Sequence, residues 1–266
     1  MREQGFGADE MDTGTPHSAR IYDYFLGGKD HYPPDRKAGE DIREIFPHVR
    51  ETARSNRAFM HRASRYMALE RIDQFLDIGT GIPTEPNLHQ VVQEIIPSAR
   101  VVYADRDPLV LRHARALLGG TPQGRTEYLH ADLKKPREIL AFAREHLDFQ
   151  RPVALSIVSV LQFVSGPHDP YRIVDELVAS LAPGSYLVLS HVTSDFEPAI
   201  WERIDAIYRR GPDSVRARSR EEFAAFFHAL DLCEPGITVS TQWHPVPGTE
   251  TCREQIPLYV GVARKP

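Results

Sequence analysis

The pattern of apolar and polar positions changes near residue 71. Residues 15–70 contain no strand-like run and predict helices that break at Gly27-Gly28 and at Pro33-Pro34. Residues 72–264 alternate between short apolar runs and amphipathic segments, which is typical of strands that alternate with helices. Such an alternation predicts a parallel sheet with right-handed crossovers.

The second region contains the individual strands and helix starts. Buried parallel strands are predicted over residues 72–78, 100–104, 126–130, 153–158 and 186–189. Helix starts are predicted at Thr84-Glu85-Pro86, Asp107-Pro108, Asp169-Pro170 and the capping box Ser219–Glu222. The apolar stripes of the first two helices are Leu88, Val91, Val92, Ile95 and Ile96, and Val110, Ala114, Leu117 and Leu118.

The end of the chain indicates how the sheet finishes. Two strands, over residues 237–242 and 257–263, follow each other without a helix between them, which predicts an antiparallel hairpin at one edge. The predicted fold class is therefore α/β, with a doubly wound, mostly parallel sheet. We divide the chain into a flexible tail (1–14), a helical N-terminal lid (15–70) and the sheet domain (71–266).

Composition and charge narrow the class of protein. The chain has 266 residues, and its net charge of −5 disfavours a dedicated nucleic-acid-binding protein, which carries a basic excess. No apolar run is long enough for a membrane span, and the polar N-terminus lacks the apolar core of a secretory signal. Cys233 and Cys252 form no CxxC pair, so we expect them to be free thiols in a cytoplasmic protein. We also expect no metal site.

Polar residues and glycines follow successive strands. In a doubly wound sheet the ligand binds outside the carboxyl ends of the strands. After the first strand, Asp77-Ile78-Gly79-Thr80-Gly81 allows a tight turn and close approach to a ligand. Asp105 follows the second strand and can accept both hydroxyls of a ribose, while Asp132-Leu133 follows the third and can read an adenine edge. Taken singly these residues also fit a plain turn or a buried acid, but their joint placement predicts a nucleoside site.

The turn after the first strand distinguishes between nucleoside cofactors. A dinucleotide site has a third glycine where this chain has Thr84, and Pro83 and Pro86 remove backbone donors. Glu85 puts a negative charge where a diphosphate would lie. S-adenosylmethionine has no phosphate and carries a sulfonium cation, and Asp77 can attract its amino group. The residues therefore favour S-adenosylmethionine over NAD(P).

Two segments carry a family resemblance. Leu76–Thr84 resembles motif one of the class I S-adenosylmethionine-dependent methyltransferases. Ile21–Asp30 resembles the YDYxLGGKD signature of an actinobacterial S-adenosyl methyltransferase family, and residues 56–59, 101–105 and 181–191 fit the same family. The resemblance implies a Rossmann-like class I fold of seven strands with a helical N-terminal lid.

The family's motifs also imply which residues hold the cofactor. We call them the strand-end set: Asp77, Gly79, Thr80, Gly81, Asp105, Arg106, Asp132, Leu133, Val158, Ser159 and Val160. By resemblance, the glycine turn lines the methionine part, Asp105 holds the ribose, and Arg106 and Asp132-Leu133 lie beside the adenine. Gln162 stands where relatives often have a histidine, so we do not assign it a catalytic role.

The acceptor side is less defined. Methyl transfer from a sulfonium depends mainly on positioning, so a base is needed only for a tightly held proton. His191, at the end of the fifth strand, is a candidate base, with a hydrogen-bonded strand-end histidine as the alternative. Tyr22 and Tyr32 in the lid are candidates for an acceptor pocket, with helix packing as the alternative. The arginine-rich stretch 50–71 fits a solvated helix face better than an anion site.

The sequence therefore predicts a methyltransferase that uses S-adenosylmethionine and acts on an unidentified small-molecule acceptor. Two alternatives stay open: a non-catalytic protein that binds the cofactor and regulates, and an NAD(P)-dependent oxidoreductase. We expect no membrane or nucleic-acid partner. The oligomeric state is open, with a homodimer as one possibility.

Overall fold

A computed structural model describes residues 12–110, 112, 120–165, 168–246 and 256–266. Most of the predicted tail lies outside the described residues, as do Cys252 and the stripe positions Ala114, Leu117 and Leu118. Cys233 is a half-buried free thiol. None of the described helices is long and apolar enough to cross a membrane.

Helices and strands alternate from residue 74 onward. The described helices are α1 (Ser18–Leu26), α2 (Pro33–Ile45), α3 (Val49–Leu69), α4 (Leu88–Gln93), α5 (Pro136–His146), α6 (Pro170–Ala179), α7 (Pro198–Tyr208) and α8 (Arg220–Ala224). The described strands are β1 (Gln74–Ile78), β2 (Arg100–Asp105), β3 (Arg125–His130), β4 (Ala154–Val158), β5 (Tyr186–Val192), β6 (Asp231–Leu232), β7 (Thr238–Val239) and β8 (Leu258–Arg264). Short 3₁₀ turns cover Leu161–Phe163 and Ala225–Phe227.

One mostly parallel sheet forms the centre of the molecule. Within the described residues it has eight strands in the order β3-β2-β1-β4-β5-β8-β6, with β7 also paired to β8. Strands β1 to β5 pair in parallel, and β8 runs antiparallel to β5, β6 and β7. The predicted doubly wound class and the antiparallel pairing of the last strands are confirmed. The count of seven strands was wrong within this part of the chain, because the two-residue strand β6 gave no apolar run.

Helices cover both faces of the sheet. On one face, Ile139 of α5 and Leu177 of α6 are fully buried against Leu76, Leu155 and Leu187 of the sheet. On the other face, Phe59 and Met67 of α3 and Val92 of α4 pack against a second set of strand residues. Because both faces are covered, the central strands β1, β4 and β5 are buried along nearly their whole length and are mainly apolar.

The N-terminal helices form a third apolar cluster. Gly27 ends α1 in the left-handed region with φ +86°, and two prolines begin α2, so the predicted breaks are confirmed. Ile21 of α1 and Ile42 of α2 are buried with Ile204 of α7. This cluster places α1 beside the carboxyl ends of the strands, while the division into lid and sheet domain stays a prediction.

Two helices differ from the predictions. Helix α4 begins at Leu88 rather than at Thr84-Glu85-Pro86, because the backbone N–H of Asn87 donates to Gln90 Oε1 over 2.6 Å and the Thr84 N–H donates to Asn87 Oδ1. Helix α5 was not predicted, although Pro136 in its first turn and the buried Ile139 and Ala143 follow helical spacing.

Candidate functional site

The turn after β1 is built on two glycines. Gly79 and Gly81 have φ of +76° and +69°, in the left-handed region that only glycine adopts without strain. A Cβ at Gly79 would lie 2.2 Å from Val160 Cγ2, whereas one at Gly81 would meet no atom within 4 Å. Gly79 is therefore fixed by close packing against the loop after β4, and Gly81 by its backbone conformation and exposure to the adjoining space.

Asp105 ties the ends of β1 and β2 together. Its Oδ2 accepts from the Gly81 N–H over 2.8 Å, and its Oδ1 accepts from the Asp107 N–H over 2.9 Å. Burial raises the pKa of this carboxyl, while both backbone hydrogen bonds oppose the rise. Each carboxylate oxygen retains a free acceptor position, so Asp105 can still accept from a ligand's hydroxyl groups.

The ends of β3 and β4 contribute two further turns. Asp132 accepts from the Lys134 N–H over 2.9 Å, which closes the turn after β3 and leaves Leu133 buried behind it. After β4, Ser159 has φ +60°, an uncommon conformation for a residue with a side chain. Its hydroxyl accepts from Gln162 Nε2 over 2.8 Å. Backbone conformations of this kind are found preferentially at binding sites.

All residues of the strand-end set line one cleft at the carboxyl ends of β1 to β4. Its cavity volume is about 150 Å³. Helix α1 and the residue before it close one side with His17, Ser18, Ala19 and Tyr22, and α3 contributes Asn56 and Arg57. The structure thus brings the predicted cofactor residues together, while their individual roles remain predictions.

Asp77 and Arg57 line the same cleft and interact electrostatically. Burial raises the pKa of Asp77 to about 6, and the Arg57 guanidinium limits that rise. Arg57 Nη2 donates to the carbonyl oxygens of Thr84 and Pro86, the latter over 2.9 Å. Its Nε is buried without a hydrogen-bond partner among the described residues. Sequence patterns missed Arg57 because it falls within an arginine-rich helix whose spacing fits a solvated face.

Arg62 of that arginine stretch has a structural role, whereas Arg54, Arg65 and Arg71 are exposed. Arg62 donates to the carbonyls of Trp243 (2.8 Å) and Ser240 (2.5 Å), and Arg65 forms an exposed ion pair with Glu94. The prediction of a solvated helix face is therefore wrong for Arg57 and Arg62.

Buried ion pairs hold α1 over the cleft. Arg20 Nε lies 3.0 Å from Asp107 Oδ2, and both side chains are almost fully buried. Asp213 accepts from the Ser18 N–H over 3.0 Å and pairs with Arg106. Helix α1 is thus fastened both to the turn after β2 and to the loop that carries Asp213.

The signature segment Ile21–Asp30 has a visible structural role. Asp23 Oδ2 accepts from the Asp30 N–H and bonds His31 Nδ1, each over 3.0 Å. A Cβ at Gly28 would lie 1.9 Å from Asp23 Oδ1, so this position requires glycine. The segment Ile21–Asp30 therefore folds the chain back after α1 and fixes the helix that covers the cleft.

The candidates for the acceptor side occupy different places. Tyr22 lines the cleft, and its hydroxyl donates to the Ala53 carbonyl over 3.0 Å and accepts from Asn56 Nδ2 over 2.8 Å. Tyr32 does not line the cleft; it lies at the start of α2, where its ring packs under the Arg20 guanidinium. This is the packing role that the sequence left as the alternative for Tyr32.

His191 lies outside the cleft and is buried. Its Nδ1 donates to the Val192 carbonyl over 2.7 Å, and its Nε2 accepts from Arg218 Nη1 over 2.5 Å. Burial and the Arg218 charge lower the pKa of His191 to about 3. Both ring nitrogens form hydrogen bonds within the protein, which is the arrangement of a hydrogen-bonded strand-end histidine. We therefore do not propose His191 as a base.

The turn near Thr84 has no free anion cradle. The Thr84 N–H is taken by Asn87, and the carbonyls of Thr84 and Pro86 face Arg57. A diphosphate needs free backbone N–H groups at a helix N-terminus, whereas the Thr84 N–H of this turn already donates to Asn87. Among the described residues no group of three or more His, Cys, Asp or Glu side chains could hold a metal ion.

Comparison with known families identifies the chain. The sequence profile of the S-adenosyl methyltransferase family matches residues 4–266, so the chain belongs to that family. It is a methyltransferase whose cofactor is S-adenosylmethionine. A search of curated proteins found no match.

Solved structures agree with this assignment. The chain is similar to a DUF574 family protein from Streptomyces avermitilis MA-4680, with 45% identity over 96% of this chain and 99% of the other and a TM-score of 0.92. It is also similar to a candidate methyltransferase from Thermobifida fusca YX, with 36% identity over 94% and 95% of the two chains and a TM-score of 0.84. The plantazolicin methyltransferase BpumL shares the fold, with 12% identity over 93% and 96% of the chains and a TM-score of 0.55.

Proposed function

We propose that this member of the S-adenosyl methyltransferase family binds its cofactor with the strand-end set and methylates a small-molecule acceptor. The observation that carries the proposal is the convergence of the strand-end set on one cleft. S-adenosylmethionine, when bound, would supply an electrophilic methyl group: the acceptor's heteroatom would bond to the methyl carbon as the C–S bond breaks, S-adenosylhomocysteine would leave, and the acceptor's proton would pass to solvent. The protein's contribution is to hold both molecules in line and to exclude water.

Asp105 and Asp132 are assigned to the adenosine. Asp105 keeps free acceptor positions for ribose hydroxyls because each of its oxygens uses only one for the backbone. Asp132, next to the buried Leu133, offers a carboxylate oxygen to the adenine amine. The open space at Gly81 leaves room for the ligand between these two side chains.

Asp77 and Arg57 are assigned to the methionine part. The amino acid portion of the cofactor carries an ammonium and a carboxylate, and Asp77 and Arg57 offer the complementary charges in the same cleft. The unpartnered Arg57 Nε supports this assignment, since a buried guanidinium donor without an acceptor is costly.

Enclosure of the cleft supports a small acceptor. Helix α1 lies over the cleft and is fastened by the buried Arg20–Asp107 pair. A macromolecular acceptor would have to displace that helix, whereas a small molecule fits beside it. The Thr84 N–H already donates to Asn87 and is not free for a diphosphate, which supports a methyltransferase over an NAD(P)-dependent oxidoreductase.

Calorimetric titration tests the assignment of the cleft. We expect S-adenosylmethionine to bind the protein, and Asp105→Asn to weaken binding at least tenfold because the amide repels one ribose hydroxyl donor and disturbs the turn at Gly81. The matched control is Asp175→Asn, an exposed carboxyl on α6, which should leave the affinity unchanged. Absence of binding, or equal affinities for the wild type and Asp105→Asn, would overturn the proposal.

A further inference from the structure

A second cavity adjoins the cleft beneath α1, and we call it the acceptor pocket. Its volume is about 60 Å³, and its walls come from α1, α2, α3, α7 and the turn after β4. Tyr22, Asn56, Ser159, Gln162, Phe163 and Tyr208 line both the acceptor pocket and the cleft. These shared walls show that the two cavities lie next to each other, so a molecule in the acceptor pocket lies beside the end of the cleft.

We infer that the methyl acceptor is a compact, uncharged, mainly apolar molecule whose hydroxyl or uncharged N–H group lies against Gln162. The inference rests on the proposed function, since it places the acceptor next to the proposed cofactor site. Four observations support it: the walls of the pocket, its lack of charge, its unpartnered polar groups and its size.

The walls are aromatic and aliphatic. Phe25 of α1, Phe46 after α2 and Trp201 of α7 line the pocket together with aliphatic side chains of α2 and α7. None of the described residues that line it is charged. Burying an ion without a partner is very costly, so this wall selects against carboxylates, phosphates and ammonium groups.

Two buried polar groups in the pocket wall have no hydrogen-bond partner within the described part of the chain. They are Gln162 Oε1 and Trp201 Nε1, on side chains that are 4% and 9% exposed. A buried polar group without a partner destabilises a protein, so such groups are usually satisfied by a ligand or water. The pair offers one acceptor and one donor, and therefore fits a ligand that has both a donor and an acceptor.

Gln162 determines which end of the acceptor meets the cleft. It lines both cavities, whereas Trp201 lines only the acceptor pocket. Ser159 holds the Gln162 amide through Nε2, which leaves Oε1 to accept from the ligand. An O–H or N–H that donates to Oε1 places its heteroatom at the junction with the cleft. Gln162 is thus a positioning residue, because an amide cannot take up the proton.

The size of the pocket limits the acceptor. An apolar cavity of roughly 150 Å³ holds a benzene ring. The acceptor pocket, at about 60 Å³, admits one ring only if part of it extends into the shared cleft. A single ring or a short branched chain with one hydroxyl or uncharged N–H group fits this description, and a polycyclic molecule does not.

Ligand-observed NMR with three probes of the same ring tests the inference. The probes are benzyl alcohol, toluene and benzoate, each titrated with and without saturating S-adenosylhomocysteine. We expect benzyl alcohol to bind at least fivefold more tightly than toluene, and benzoate not to bind. Equal binding of benzoate, or absence of binding by all three probes, would overturn the inference.

Variants locate the probe. Gln162→Leu should abolish the preference for benzyl alcohol over toluene, and Trp201→Phe should reduce the affinity for benzyl alcohol alone. Trp243→Phe is the matched control, because Trp243 is buried against Phe59 in another cluster and does not line the pocket. A preference that survives both pocket variants would contradict the assignment. Calorimetry with S-adenosylhomocysteine on each variant separates this result from a failure of the proposed cofactor site.

Discussion

Burial raises the pKa of Asp77 to about 6, while an unfolded aspartate titrates near 3.8. The folded protein therefore holds this proton more tightly than the unfolded chain. The protonated carboxyl stabilises the native state below about pH 4, and this contribution is lost as the pH rises through 6. Above pH 6 the site holds a buried carboxylate, which is the form that can attract an ammonium group.

Cofactor affinity should follow the ionisation of Asp77. We expect the association constant for S-adenosylmethionine to fall by up to tenfold for each pH unit below 6, because protonation removes the charge that faces the ammonium. Calorimetry between pH 5 and 7 measures this dependence. Asp77→Asn should bind more weakly at pH 7 and lose the dependence, and an unchanged profile in that variant would assign the titration to another group.

The two glycines after β1 should differ in their tolerance of alanine. Both have positive φ, so either substitution strains the backbone by about 1 kcal/mol or more. Gly79→Ala adds a clash with Val160, whereas Gly81→Ala meets open space. We expect Gly79→Ala to lower the midpoint of thermal unfolding by several degrees more than Gly81→Ala. Equal decreases in the unfolding midpoint would show that the close packing of Gly79 against Val160 does not affect stability.

At the scale of secondary-structure elements, the buried Arg20–Asp107 pair decides how firmly α1 is attached. Asp107→Asn removes the nearer charge partner of an almost fully buried guanidinium and leaves it Asp35 at 4.0 Å, and breaking such a buried pair destabilises by about 3 kcal/mol. Urea unfolding measures the loss. The control is Asp41→Asn, whose partners Lys37 and Arg210 are exposed, and its effect should be much smaller. Similar losses in both variants would contradict the anchoring role of Arg20.

Elements were predictable where a local pattern carried the information. The apolar runs of β1 and β5 lie in a buried sheet. Because buried strands need apolar side chains, their positions are visible in the sequence. The start of α4 was misplaced because Thr84-Glu85-Pro86 has the composition of a helix start, while the hydrogen bond between Asn87 and Gln90 sets the actual one. Strand β6 has only two exposed residues and pairs through its backbone alone, which leaves no trace in side-chain pattern.

At the scale of the whole molecule, the convergence of the strand-end set on one cleft was predictable and the second cavity was not. Asp77 and Asp105 lie at the ends of β1 and β2 and Asp132 follows β3, and the topology of a doubly wound sheet brings strand ends together. The acceptor pocket instead depends on how α1, α2, α3 and α7 pack, and it joins Gln162 to Trp201 from separate parts of the chain. Side-chain spacing within one element carries no information about such an assembly.

We propose that the cleft holds the adenosyl cofactor and lies against the acceptor pocket. A crystal structure of the protein with S-adenosylhomocysteine tests this most directly. It should show the ribose hydroxyls within hydrogen-bond distance of Asp105, the amino acid portion between Asp77 and Arg57, and the sulfur at the walls shared with the acceptor pocket. Density for the ligand elsewhere on the protein, or with its sulfur directed away from Gln162, would contradict the account.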